Sequence, residues 1–137
     1  MRVCLDTNVL VAAFATRGLC ADVFRTVLAE HDLVRGEVIM GELRRALKQK
    51  LRLPEDRLAA IEAVLSPFDA VPKPAKPSPV DIRDPADRWI LATAVAGRAD
   101  VLVTGDQDLL VLGAEAPLSV LDPRTFWELL RGGRQAG

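Results

Sequence analysis

Val3-Cys4-Leu5-Asp6-Thr7-Asn8-Val9-Leu10 is the stretch from which the rest of the chain can be read. Three apolar residues end abruptly in three polar ones, and the apolar run then resumes as far as Phe14. A buried strand running into a helix has this form, with Asp6 at the strand's carboxyl end and a capping residue opening the helix. A second segment repeats the event, where Val101-Leu102-Val103 is stopped by Thr104-Gly105-Asp106. In α/β sheets ligand sites lie at the carboxyl ends of strands, and both Asp6 and Asp106 occupy that position.

Working outward, residues 21–30 carry a helical face of Val23, Phe24, Val27 and Leu28. Leu33-Val34 reads as a short strand. Residues 38–51 read as a helix with Val38, Ile39, Leu43, Leu47 and Leu51 inward and Arg44, Arg45, Lys48, Lys50 and Arg52 mostly outward. Pro54 opens a further helix that Pro67 ends, and residues 68–71 read as a strand. Residues 72–79 hold prolines at 72, 74, 77 and 79 interleaved with lysines, a stiff extended loop. Asp84-Pro85 has the cap and first-turn proline of a helix that runs to Gly97. Residues 118–121 make a last strand, and Pro123 opens a closing helix through Leu130. This alternation predicts one domain over residues 1–137, an α/β sandwich around a mainly parallel central sheet.

The bulk properties limit the function classes. At 137 residues, half of them apolar and 27% charged, the chain suits one compact domain with a real core. A net charge of −1 gives no general attraction to nucleic acid, so any such binding must use a local basic surface or a bound metal. Tyr is absent and Phe and Trp together number six, which argues against a base-stacking platform. Cys4 and Cys20 form no CxxC, and His31 is the sole histidine, so a Cys/His zinc site is excluded. Cys4 reads as a small buried residue and His31 as a solvated one. The first residues loosely imitate a secretory signal, but Asp6, Thr7 and Asn8 break its apolar core. No stretch approaches the ~20 apolar residues of a membrane span. A cytoplasmic protein, mature as written and without membrane partners, is the expectation.

Each acid also has a structural reading. Asp6, Thr7 and Asn8 are helix-capping types, and Asp84 is a conventional cap. Asp87 falls where a carboxylate favours the helix dipole. Glu42 can pair with Arg45 one helical turn on, and Asp106 and Asp108 can form a plain turn. Capping alone does not explain why two buried strands both release carboxylates at one sheet edge. Converging carboxylates repel unless a cation lies between them. An all-oxygen set suits Mg²⁺ or Mn²⁺, and such a site can activate water against a phosphodiester.

The run from Val3 to Leu10, Glu42-Leu43 in mid-chain, Asp84-Pro85-Ala86-Asp87 before an Ala-rich helix, and Val103-Thr104-Gly105-Asp106-Gln107-Asp108-Leu109-Leu110 together resemble the PIN domain. The order of motifs covers nearly the whole chain and is most similar to the VapC-like toxins of bacterial toxin–antitoxin modules. The resemblance implies a three-layer α/β/α fold and Mg²⁺- or Mn²⁺-dependent endoribonuclease activity. It puts the catalytic, metal-binding acids at Asp6, Glu42, Asp87 and Asp106, with Asp108 an additional metal ligand. Thr7, Asn8, Thr104 and Asp84 become supporting residues. RNA as substrate, a cognate antitoxin and homodimerisation are likewise implied. Arg44, Arg45 and Lys48 are the expected approach for RNA phosphates. One departure is visible at Arg35-Gly36-Glu37, where the family often has a Ser at the helix entry. Two rivals are a non-catalytic module with the PIN fold and an aspartate-dependent phosphatase using Asp6; the latter lacks its second acid, since Asn8 stands there.

Overall fold

The structure, a computed structural model, describes residues 1–68 and 70–136, with side chains described as far as residue 132. Five strands form one parallel sheet in the order β3-β2-β1-β4-β5. They are β1 (Arg2–Leu5), β2 (Asp32–Gly36), β3 (Ala70–Val71), β4 (Val101–Val103) and β5 (Ser119–Leu121). Between and after them run α1 (Thr7–Ala15), α2 (Leu19–Glu30), α3 (Glu37–Gln49), α4 (Glu55–Leu65), α5 (Pro85–Ala96), α6 (Gln107–Leu110) and α7 (Pro123–Ala136). The result is the three-layer α/β/α arrangement expected from the sequence.

The strands at the centre, β4 and β1 after Arg2, are apolar because both faces of a parallel sheet are covered by helices. Val3, Cys4 and Leu5 of β1 and all of β4 are buried, and with Leu10, Ile39, Leu91 and Phe126 they form the core. Cys4 is a packing residue: burial, helped by the nearby Asp6 charge, pushes its thiol up to about 12, which makes it inert. No single described helix is long and apolar enough to cross a membrane.

Four elements differ from the sequence reading, the first being α3, which ends at Gln49 and leaves Leu51 beyond it and exposed instead of inward. The third strand pairs with β2 only at Ala70 and Val71, and position 69 lies outside the described residues. Pro67 and Pro72 bracket it and cannot donate to a ladder, which keeps it short and at the sheet edge. The acid-rich segment after β4 is not a plain turn, because α6 begins directly behind Asp106, whose side chain accepts from the Asp108 amide at 2.9 Å. Four residues are too few for helical periodicity to be visible in sequence. The closing helix also runs on past Leu130 to Ala136.

The sheet order positions the site. From β1 the chain moves outward on one side to β2 and β3, then crosses back to β4 and β5 on the other. The reversal point lies between β1 and β4, where α/β folds open a crevice. Their register pairs Leu5 with Val103, and the Asp6 amide donates to the Val103 carbonyl at 2.9 Å. Asp6 and Thr104 therefore leave adjacent strands side by side. Helix α5 is drawn close by Gly36, where a Cβ would collide with the buried Thr93 side chain. Thr93 cannot swing away freely, since its hydroxyl donates to the Trp89 carbonyl at 2.8 Å.

Candidate metal centre

Asp6 is held from two sides. Its Oδ1 accepts from the Thr7 amide and its Oδ2 from the Thr104 hydroxyl, each at 2.7 Å. Asp6 is also the N-cap of α1, so the capping reading and the pocket reading both hold for one residue. The Thr104 hydroxyl in turn accepts from the Asp106 amide at 3.0 Å. Thr104 is 0% exposed and its hydroxyl has a partner for both donation and acceptance, so it acts as a fixed strut between the two acids.

Glu42 comes from α3 and receives a long hydrogen bond from the Thr7 hydroxyl at 3.4 Å. Asp87 comes from the first turn of α5, which Asp84 caps by accepting from the Ala86 amide at 3.0 Å. One cavity of ≈ 350 Å³ is lined by Asp6, Thr7, Asn8, Glu42, Asp87 and Asp106, together with Lys50 and apolar side chains of α1, α3 and α5. Asp108 does not line that cavity. Carboxylate oxygens of Asp87, Asp106 and Asp108 lie within 4.8 Å of one another. Asp84 stays at its cap and acts on the pocket through its charge on Asp87 and Glu42.

The cluster is under electrostatic load. Burial raises the pKa of Asp6, assisted by Asp106, while the hydrogen bonds from Thr104 and Thr7 pull it back. Burial and the Asp6 charge likewise raise Glu42. Asp87 is pushed up to about 8, by burial first and then by Asp106, Asp84 and Asp6. At neutral pH these groups resist being charged together, which is what an acidic site does when no cation shares it.

The residues fit a divalent cation on one observation in particular. Asp87 Oδ2 is buried and has no hydrogen-bond partner. A buried carboxylate oxygen normally finds a donor, and leaving one without costs roughly 1–3 kcal/mol or more. Its near neighbours are other carboxylates: a proton kept between Asp87 and Asp106 lets that pair hydrogen-bond, but once both are ionised neither can donate. A hard cation with oxygen ligands would satisfy Asp87, Asp106 and Asp108 together, whereas Asp6 and Glu42 line the same cavity outside that close group.

The basic residues divide. Arg44 pairs with Glu62 and with Glu55, the latter at 3.2 Å, and Lys48 lies 3.5 Å from Glu55, so both turn toward α4. Arg45 and Lys50 border the acid cavity or its extension beside Glu42. The sequence places Lys50 with Arg44, Arg45, Lys48 and Arg52 on one basic side suited to phosphates and does not separate them. Which cations meet α4 depends on a packing partner that periodicity does not identify. Glu37 accepts from the Lys73 amide at 2.9 Å and does not line the acid cavity.

Replacing Thr104 with Val should test the strut. The substitution keeps the shape, removes the hydrogen bond to Asp6 and leaves the Asp106 amide without its acceptor. Affinity for Mn²⁺, measured by calorimetric titration, is expected to fall about 10- to 100-fold, the usual cost of losing an orienting partner. Unchanged affinity would assign Thr104 to packing alone.

A family model described as PIN domain matches residues 2–108. Among solved structures, the chain is similar to VapBC2 from Rickettsia felis bound to a DNA fragment from their promoter (TM-score 0.62, 18% identity, covering 89% of this chain and 98% of that one). It is similar to FitAcB from Neisseria gonorrhoeae (0.59, 18%, 88% and 97%). A third is VapBC-1 from nontypeable Haemophilus influenzae (0.57, 20%, 90% and 99%). At these identities the likeness concerns the fold. No curated protein matches the chain.

Proposed function

The chain belongs to the PIN-domain family, and on that premise we propose that it is a metal-dependent endoribonuclease acting as the toxin of a toxin–antitoxin pair. The observation that carries this reading is the partnerless Asp87 Oδ2 inside a cluster of converging carboxylates. Asp6, Glu42, Asp87, Asp106 and Asp108 would hold Mg²⁺ or Mn²⁺. When bound, such an ion supplies Lewis-acid stabilisation of phosphodiester charge and lowers the pKa of an attacking water.

The chain's own residues supply the rest. Thr104 and Thr7 fix the Asp6 carboxylate and so set the donor geometry before substrate arrives. Thr7 also steadies Glu42 from across the cavity. Arg45 and Lys50 are placed to neutralise an incoming RNA phosphate, which an acidic pocket would otherwise repel.

The aspartyl-phosphatase alternative is less well supported, because Asn8 stands where its second acid is needed. A cytoplasmic location, a cognate antitoxin and a homodimer form part of the proposal, by resemblance to VapC-like toxins. The test is incubation of the purified, metal-stripped chain with total RNA and added Mg²⁺ or Mn²⁺. Discrete cleavage that a chelator abolishes and re-added metal restores is expected. Intact RNA under all of these conditions would overturn the reading in favour of a non-catalytic module.

A further inference from the structure

Beyond Glu42 the acid cavity continues into two more recesses. The first, of ≈ 290 Å³, shares Thr7, Glu42 and Lys50 with it. The second, of ≈ 320 Å³, shares Glu42 and Arg45 with the first and ends at Lys73 and Trp89. The three recesses are thus joined through Glu42. Lys50, Arg45 and Lys73 stand along them in turn, and none is in an ion pair among the described residues. Arg44 and Lys48, by contrast, are neutralised against α4.

Lys73 is exposed, yet its position is built. Its ammonium lies 4.6 Å from the centroid of the Trp89 ring. Its amide donates to Glu37 Oε2 at 2.9 Å, and Pro72 and Pro74 on either side restrict the backbone. The far end of the same segment is tied to α5, where the Ser78 amide donates to the Arg88 carbonyl at 3.0 Å. The choice of partner matters. A carboxylate would hold the ammonium and cancel its charge, whereas an aromatic face attracts it and leaves the full charge available. The two carboxylates in this recess have other partners: Glu37 holds the Lys73 amide, and Glu42 takes the Thr7 hydroxyl beside the acid pocket.

Resting on the reading of the acid pocket as a ribonuclease centre, we propose that Lys73, seated on Trp89, forms with Arg45 a subsite for a backbone phosphate of single-stranded RNA, flanking the phosphate at the acids. Lys73 is a substrate-binding residue and Trp89 a positioning one.

The experiment compares the unmodified chain with Lys73→Ala, Lys73→Arg and Trp89→Leu. It measures Mn²⁺-dependent cleavage of a short single-stranded RNA, after thermal melts establish that each variant folds. Lys73→Ala is expected to raise KM several-fold with little change in kcat, and Lys73→Arg to restore most of the loss. Trp89→Leu should raise KM by a smaller factor, since the charge stays but loses its seat. Binding of the same RNA to Asp106→Asn protein, followed by fluorescence anisotropy at several salt concentrations, reads the contact directly. Adding Lys73→Ala should flatten the dependence of log affinity on log salt by about 0.7, the share of one single-strand phosphate contact. An unmodified chain that cleaves RNA, with Lys73→Ala unchanged in KM and salt slope, overturns the subsite alone. An unmodified chain that never cleaves RNA overturns the ribonuclease reading and the subsite with it.

Discussion

Asp106→Asn is expected to lower metal-dependent RNA cleavage by more than about 100-fold, the upper end of what a merely supporting residue costs at a metal site. The choice of Asn is deliberate. Asp106 caps α6 by accepting from the Asp108 amide, and Asn caps a helix about as well as Asp. The substitution therefore removes charge and keeps local structure, whereas Ala would also cost about 1 kcal/mol of capping. Asp106 is the acid whose charge presses on both Asp6 and Asp87, and its oxygens belong to the closest carboxylate group. Losing that charge relieves repulsion in the metal-free protein while removing a hard anionic ligand. Cleavage should collapse and the melting temperature without metal should hold or rise. Retained cleavage would place the chemistry elsewhere.

The second large effect concerns pH. Asp87 has an ordinary value of 3.8 and is pushed up to about 8 in the folded chain, so the folded state keeps a proton that the unfolded state has released across that interval. Where the folded state binds more protons, stability falls as pH rises, by at most about 1.4 kcal/mol per pH unit for one group. Asp6 and Glu42, also raised, act in the same sense. Asp122 acts in the opposite sense: its carboxylate accepts from the Thr125 amide at 2.7 Å, which lowers its pKa. Its contribution is lost only as pH falls below the ordinary carboxylate range. Metal-free protein should therefore melt at a clearly higher temperature at pH 5 than at pH 8. Asp87→Asn should flatten that slope and stabilise the chain at pH 8, because the amide has no charge to bury and can donate a hydrogen bond to its carboxylate neighbours. Denaturant unfolding at the two pH values measures both. An equal slope in the variant would remove Asp87 from the strained cluster.

Much of this arrangement was legible in the sequence because it is local. An apolar triplet followed by Asp-Thr-Asn specifies a strand end, a cap and a carboxylate at once, and the same logic applies after Val103. The meeting of Asp6 with Asp106 followed from strand topology, and the family pattern added Glu42 and Asp87. What stayed hidden depends on packing between distant segments. Arg44 and Lys48 look like neighbours of Arg45 on one basic face, and only the position of Glu55 and Glu62 on α4 separates them. The proline-rich segment has no periodicity, so nothing in it marks Lys73 as resting on Trp89. Thr104 as a two-way strut is a matter of register, which sets Leu5 against Val103. The short helix α6, which turns Asp108 toward Asp87 and Asp106, is below the length at which a pattern can show.

A thermal melt of metal-stripped protein against added Mn²⁺ at pH 7.5, with Asp106→Asn alongside, bears most directly on whether the converging carboxylates form a metal site. A ligand that binds only the folded state stabilises it by mass action, about 2.7 kcal/mol at one hundred times its dissociation constant. The unmodified chain should show a rise in melting temperature that grows with Mn²⁺ concentration as that relation requires, and the variant should show little. Superimposable melts of the unmodified chain with and without Mn²⁺ would contradict the assignment of Asp6, Glu42, Asp87, Asp106 and Asp108 to a metal centre.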